Sequence, residues 1–183
     1  TRDDAAGESF DKVAKMLKLG YPGGPVIEAK ARSGDSNSHR FPRALLENGS
    51  LDFSFSGLKT SVRNLLGKRE VGGRVDISDA DISAGFQEAV IDVLVTKLMR
   101  ACEQEELKRI VVTGGVAANG ALRERVTLAG KERGMKTYFP KPVYCTDNAA
   151  MIACAGYYRC RDNPPPGENP LSLDASAGLS LDS

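Results

Sequence analysis

The chain has a single histidine, His39, no tryptophan, and no CxxC pair among its four cysteines, Cys102, Cys145, Cys154 and Cys160. One histidine leaves a Ser/His/Asp or Cys/His nucleophile system almost without candidates, so protease chemistry within these residues is not expected. Dispersed cysteines argue against a zinc knuckle or a disulfide scaffold and fit a reduced, cytoplasmic setting. No apolar run is long enough to cross a bilayer and no basic-then-apolar leader opens the chain, so no membrane partner is expected. A dominant charge is also missing: 25 Lys and Arg stand against 24 Asp and Glu, for a net +1. Bulk electrostatics therefore selects no polyanionic partner. Local clusters such as Lys68-Arg69, or Arg40 with Arg43, either touch phosphate or simply face solvent.

What is present is ordinary for a soluble globular protein: 183 residues, 41% hydrophobic and 27% charged, enough for one good-sized core or two small ones. The chain begins at Thr1 without a methionine and enters a helical pattern almost at once, as a piece of a longer protein would. Ala6, Phe10, Val13, Ala14 and Leu17 fall at three- and four-residue steps, predicting an amphipathic helix from Asp3 to Leu19, with Asp3 and Asp4 at its positive end. Tyr21-Pro22-Gly23-Gly24-Pro25 reads as a rigid turning loop before a short helix at Val26–Lys30. Ser33–Ser38 reads as a polar surface loop. Alternation over Leu51–Ser56 suggests a short strand, followed by a helix from Gly57 to Leu66 and a glycine-containing link from Gly67 to Arg74.

Ser78 and Asp81 form a capping-box-like start. Behind them Ile82, Phe86, Ala89, Val90, Val93, Leu94, Leu98 and Ala101 make one stripe, so a long helix should run to about Glu106, its stripe facing the core. Arg109–Thr113 has the β-branched density of a strand buried on both faces. A helix from Asn119 to Arg133, a strand at Lys136–Phe139 and a helix from Asp147 to about Arg159 complete an α/β alternation. Residues 1–162 are expected to form the folded portion and 163–183 a Pro-rich irregular tail, with Leu171-Ser172-Leu173 packing as an edge.

The strongest local signal for chemistry is a strand, then Gly114-Gly115-Val116-Ala117-Ala118-Asn119, then a helix. Glycines there let a ligand approach the backbone, and the following helix offers unpaired N–H groups to a phosphate, an arrangement that suits a nucleotide. The same glycines can serve only to let the helix pack closely. Asn119 at the helix start can cap it or bond a ligand ribose or amide. Asp147, before the last helix, has the same two uses, cap or ligand. Both helix-start loops follow strands, so both should open on one sheet edge. Asp11 reads from the sequence as solvated, beside a surface pair of Glu8 and Lys12, and Lys59 reads as a surface cation.

Five runs in order, Asp3–Lys12, Tyr21–Pro25, Leu51–Thr60, Gly114–Asn119 and Cys145–Ala153, closely resemble the C-terminal half of the bacterial tRNA threonylcarbamoyladenosine transferase family, TsaD, once labelled a glycoprotease. The resemblance spans roughly Asp3 to Arg159. It implies a partial α/β fold: an actin-like/Hsp70-like ATPase (ribonuclease-H-like) lobe with additional helices. It implies transfer of threonylcarbamoyl from threonylcarbamoyl-AMP to the adenine 3′ of the anticodon, in tRNAs reading codons that begin with A. TsaB-like and TsaE-like proteins are the partners it implies. By motif, Asp11, Gly24 and Asn119 would hold the adenylate, Gly114 and Gly115 would approach the nucleotide, and Asp147 would bind one divalent metal, iron or zinc. No catalytic residue is assigned. The family's pair of metal-binding histidines and its Ser-Gly-Gly-His loop have no match here, which leaves Asp147 as a single ligand and predicts a chain not competent alone. A kinase-like half of the same fold, acting on a sugar or acetate, and a non-catalytic interaction module are the competing readings.

Overall fold

The computed structural model describes residues 3–44, 49–70 and 76–162, so the expected tail, its Leu171–Leu173 edge and residues 71–74 of the glycine link lie outside the described residues. Two compact units divide the chain, Thr1–Thr146 and Asp147–Ser183. The first holds α1 (Ala6–Met16), α2 (Gly23–Ala31), α3 (Ser56–Glu70), α4 (Asp79–Gln104), β1 (Arg109–Val111), α5 (Gly120–Glu132) and β2 (Lys136–Tyr138), with 3₁₀ turns at Gly115–Ala118 and Pro142–Tyr144. The second holds α6 (Ala149–Asp162). The result is a mixed, partial α/β fold of the expected class.

α4 organises the first unit. Its start is the expected capping box: Ser78 Oγ accepts from Asp81 N, and the Asp81 carboxylate accepts from Ser78 N. The predicted stripe is core, with Ile82, Phe86, Ala89, Val90 and Val93 all fully buried. Phe10 of α1 meets Phe86 edge-on at 5.1 Å between centroids, joining α1, α2, α3 and the first half of α4 in one cluster. Ile91, Val95, Met99 and Cys102, on the second half, pack with Ile110, Leu122 and Val126 in another. One 26-residue helix thus belongs to both cores.

β1 and β2 pair in parallel, Ile110 opposite Thr137, with α5 as the crossover between them. β1 is not buried on both faces: Ile110 is 3% exposed but Val111 is 71% exposed. Among the described residues the helices cover one face of this two-stranded sheet, so the β-branched run alternates instead of disappearing into a core. Leu51–Ser56 is not a strand. Lys97 Nζ of α4 donates to Asp52 O, Lys59 N donates to Phe55 O at 3.0 Å, and just ahead of the segment Arg100 Nη1 donates to Ser50 O at 3.3 Å. Lys97 is almost wholly buried, and that burial pushes its ammonium below the usual lysine range. α3 begins at Ser56 and runs on through the first half of the expected link, to Glu70.

α1 is shorter than its periodicity suggested. Leu17 closes it and the chain turns away through Lys18 and Gly20, at φ of +57° and +98°. Asp3 and Asp4 lie ahead of its first turn and are used elsewhere. Asp4 receives Lys12 Nζ at 2.5 Å and Lys59 Nζ at 2.7 Å, so Lys59 is an internal tie between α3 and the start of the chain. Arg43 likewise pairs with Asp92, and Arg69 with Asp79, which assigns one residue of each basic cluster to internal ion pairs.

This carboxylate network sets a pH dependence. The ammoniums of Lys12 and then Lys59 hold the Asp4 carboxyl below its ordinary 3.8, and hydrogen bonds led by Ser54 lower Asp3. The backbone N–H of Asp35 lowers Asp81 in the same way. A folded-state value below the unfolded one means that the stabilisation is complete above the unfolded value and is lost as pH falls through the folded one. Thermal unfolding should therefore hold steady down to about pH 5 and decline below about pH 4. Asp4→Asn should lower the plateau and flatten that acid limb. A midpoint equally acid-sensitive in the variant would reject the assignment.

Candidate functional site

Asp11, on α1, points its carboxylate across to α2: Oδ1 accepts the Gly23 N–H at 2.7 Å. It is therefore not merely solvated, because it satisfies an otherwise unpaired donor at a helix N-terminus. Gly23 makes this approach possible, since a Cβ there would lie 2.5 Å from Asp11 Cα and from the Phe10 carbonyl. The expected turning loop ends earlier than predicted. α2 starts at Gly23, and Pro25 sits in its first turn, where a missing N–H breaks no helical bond. This earlier start puts Gly24 and Glu28 four residues apart on one helical face.

Opposite them, Gly114 takes φ +93° and turns the chain out of β1 into the 3₁₀ turn. Asn119 follows it as the N-cap of α5: Oδ1 accepts Leu122 N at 2.9 Å while Nδ2 donates to Gln87 Oε1 at 2.8 Å. Asn119 is 7% exposed, yet its amide carries a second N–H. The α5 N-terminus does not present the open row of donors expected for a phosphate. Glu28 Oε1 already accepts Gly120 N at 3.0 Å, so a carboxylate of this chain occupies that position.

These pieces enclose a cavity of about 450 Å³, lined among others by Asp11, Tyr21, Gly24, Glu28, Gly115 and Asn119. Its size is within the range of small-molecule sites. Four of the residues singled out from the sequence, Asp11, Gly24, Gly115 and Asn119, meet here. Gly114 turns the chain just outside the lining, and Asp147 is the first residue of the second unit. There the helix cap is Asn148, whose Oδ1 accepts Met151 N at 3.0 Å, so capping does not account for Asp147. Among the described residues no group of three His, Cys, Asp or Glu side chains could hold a metal ion. Glu28 and Tyr21 escaped the sequence reading. Starting α2 at Gly23 would have exposed the Gly24/Glu28 spacing.

Arg123 of α5 braces one wall. Its Nε donates to Ala117 O at 2.5 Å, Nη2 donates to Pro140 O at 2.7 Å and meets Cys145 Sγ at 3.1 Å, and the guanidinium lies 5.0 Å from the Phe139 ring centroid. The two segments it joins carry Ala118 and Thr146 to the cavity. Arg123→Met should cost about 2 kcal/mol in denaturant unfolding, because two carbonyls lose a charged donor. Arg123→Lys should recover less than half, since an ammonium cannot fork between them. Full recovery by lysine would show that only charge matters.

A sequence profile for TsaD, tRNA N6-adenosine threonylcarbamoyltransferase, matches residues 1–154. The chain belongs to this family. Proteins named tRNA N6-adenosine threonylcarbamoyltransferase from Desulfitobacterium hafniense (strain Y51) and Moorella thermoacetica are each 51% identical to it, over 99% of this chain and 52% of theirs. That from Clostridioides difficile (strain 630) is 50% identical over 86% of this chain and 46% of its own. The chain spans about half the length of the curated relatives it matches. A crystal structure of T. kodakarensis HypF superposes with a TM-score of 0.57 at 20% identity, covering 85% of this chain and 20% of that one, a likeness of fold. Membership in TsaD displaces the kinase-half reading. Among the described residues no helix is long and apolar enough to cross a membrane.

Proposed function

We propose that this chain forms the adenylate-holding part of a cytoplasmic tRNA-modifying acyltransferase. That enzyme moves threonylcarbamoyl from threonylcarbamoyl-AMP to the exocyclic amine of the adenine 3′ of the anticodon, in tRNAs reading codons that begin with A. TsaB-like and TsaE-like proteins assist it. The observation that carries this reading is the meeting of Asp11, Gly24, Gly115 and Asn119 in one cavity of small-molecule size, within the residues the family profile matches.

The donor is already activated, so the work left to the protein is positioning. The amine nitrogen attacks the carbamoyl carbon, the bond from that carbon to the phosphate oxygen breaks, AMP leaves with the electron pair, and the amine gives up one proton. Asp11 and Asn119 would bond the polar edge of the adenylate, while the side-chain-free surfaces of Gly24 and Gly115 would let it lie against backbone. Gly114 would set the turn that aims this backbone. Asp147 would contribute one ligand to an iron or zinc ion. A lone carboxylate does not make a binding site for that ion, so no step is routed through it.

The purified 183-residue chain, given threonylcarbamoyl-AMP and tRNA, is expected to bind adenylate but to transfer no threonylcarbamoyl and to retain no stoichiometric metal. Turnover and bound metal in that chain by itself, by mass spectrometry of digested tRNA and by elemental analysis, would contradict the division of labour proposed.

A further inference from the structure

Beside the adenylate cavity lies a second, more open groove of about 520 Å³, formed by Glu8, Asp11, Lys12, Lys15, Lys18 and Tyr21 with Gly20. Asp11 and Tyr21 belong to both, so the two spaces meet at the loop between α1 and α2. We propose that this groove is where a single-stranded segment of the RNA substrate lies, its phosphates on Lys15 and Lys18 and a base stacked on Tyr21. The inference rests on the adenylate reading of the neighbouring cavity and adds to it the route by which the acceptor base arrives.

Charge carries the first part. The groove's carboxylates already have partners: Glu8 pairs with Lys12 at 2.7 Å, and Asp11 accepts the Gly23 N–H. Lys12 in turn is matched by Asp4 and Glu8. Lys15 and Lys18 are exposed, and among the described residues neither meets a carboxylate. With three ammoniums against two carboxylates the groove is net positive by one charge, and its two exposed ammoniums, Lys15 and Lys18, suit a phosphate backbone.

Tyr21 carries the second. It is 83% exposed, the most exposed large apolar side chain described, although it borders a cavity. An aromatic ring left in water has no packing role, and a ring face beside a basic groove is the ordinary platform for an unpaired base. Pro22 and the start of α2 follow at once, so the ring stands on a fixed support at the mouth shared by both spaces. A base stacked there is next to the compartment assigned to the acyl donor.

The test is fluorescence anisotropy of a labelled RNA hairpin with a single-stranded loop, titrated with the chain at several salt concentrations, beside a calorimetric AMP titration. Wild type should bind the hairpin with salt-dependent affinity. The Lys15→Gln/Lys18→Gln pair should reduce the slope of log affinity against log salt by about 1.4, at roughly 0.7 per lost phosphate contact on a single strand, with AMP affinity unchanged. Tyr21→Ala should bind the hairpin about tenfold more weakly while Tyr21→Phe holds, since stacking needs the ring and not the hydroxyl. No hairpin binding by wild type, or slopes and affinities unaltered in the variants, would overturn the proposal. Altered hairpin binding in a chain that takes up no AMP would keep the RNA surface and reject the adenylate reading instead.

Discussion

Gly23→Ala is expected to destabilise the protein by about 3 kcal/mol, the upper end for an overpacked site, and to remove adenylate binding with it. The added methyl would sit 2.5 Å from Asp11 Cα and from the Phe10 carbonyl, and both are backbone that no rotamer change can move. α1 and α2 would have to separate. The Gly23 N–H would then leave Asp11 Oδ1, now 2.7 Å away, and one side of the cavity would lose its alignment. The neighbouring position gives the opposite expectation. A Cβ on Gly24 meets nothing within 4 Å, because it would project into the cavity. Gly24→Ala should thus unfold no earlier than wild type, helped by the better helix propensity of alanine, while binding AMP more weakly. Urea unfolding and calorimetric titration on the two variants separate packing from occupancy. Equal effects from Gly23 and Gly24 would refute the geometry.

The second large effect is at Asn119. Its side chain caps α5 and meets Gln87, so Asn119→Ala removes a cap and leaves a half-buried amide without its partner, together about 2 kcal/mol. That loss alone says nothing about ligand. Asn119→Asp does. A carboxylate still accepts from Leu122 N, and the Gln87 amide can rotate to donate, so stability should stay within about 1 kcal/mol of wild type. A negative charge then faces any adenylate phosphate, with Glu28 close by on Gly120 N. AMP affinity should fall at least tenfold. A stable Asn119→Asp protein with wild-type AMP affinity would leave Asn119 a helix cap and nothing more.

The difference between these neighbouring positions also explains what could be read without coordinates. Local rules were sufficient where the chain's own pattern decides the outcome. The Ser78/Asp81 box, the α4 stripe and the Asn119 start of α5 all follow from spacing within one element. They failed where a distant group wins. Leu51–Ser56 alternates like a strand, yet Lys97 takes its Asp52 carbonyl, and Arg100 the Ser50 carbonyl just ahead of it, from more than forty residues away. Asp11 looks solvated until α2 folds back against α1. Glu28 is an ordinary helical glutamate until α5, ninety-two residues on, offers it the Gly120 N–H. The candidate site was legible as a set of residues through resemblance, but not as a surface. The lining contributed by Tyr21 and Glu28 comes from an α2 start that Pro25 disguised as a loop. β1 was misjudged for a related reason, since the burial of Val111 depends on what covers the second face of the sheet.

The central claim is that Asp11, Gly24, Gly115 and Asn119 shape a cavity for the adenylate of an acyl donor. Isothermal titration of AMP into wild type and Gly24→Ala tests it most directly, because the substitution changes the cavity without disturbing the packing around it. Saturable one-to-one binding by wild type, clearly weakened in Gly24→Ala at unchanged stability, is the expected result. Absence of AMP binding in the folded wild type, or the same affinity in both proteins, would contradict it.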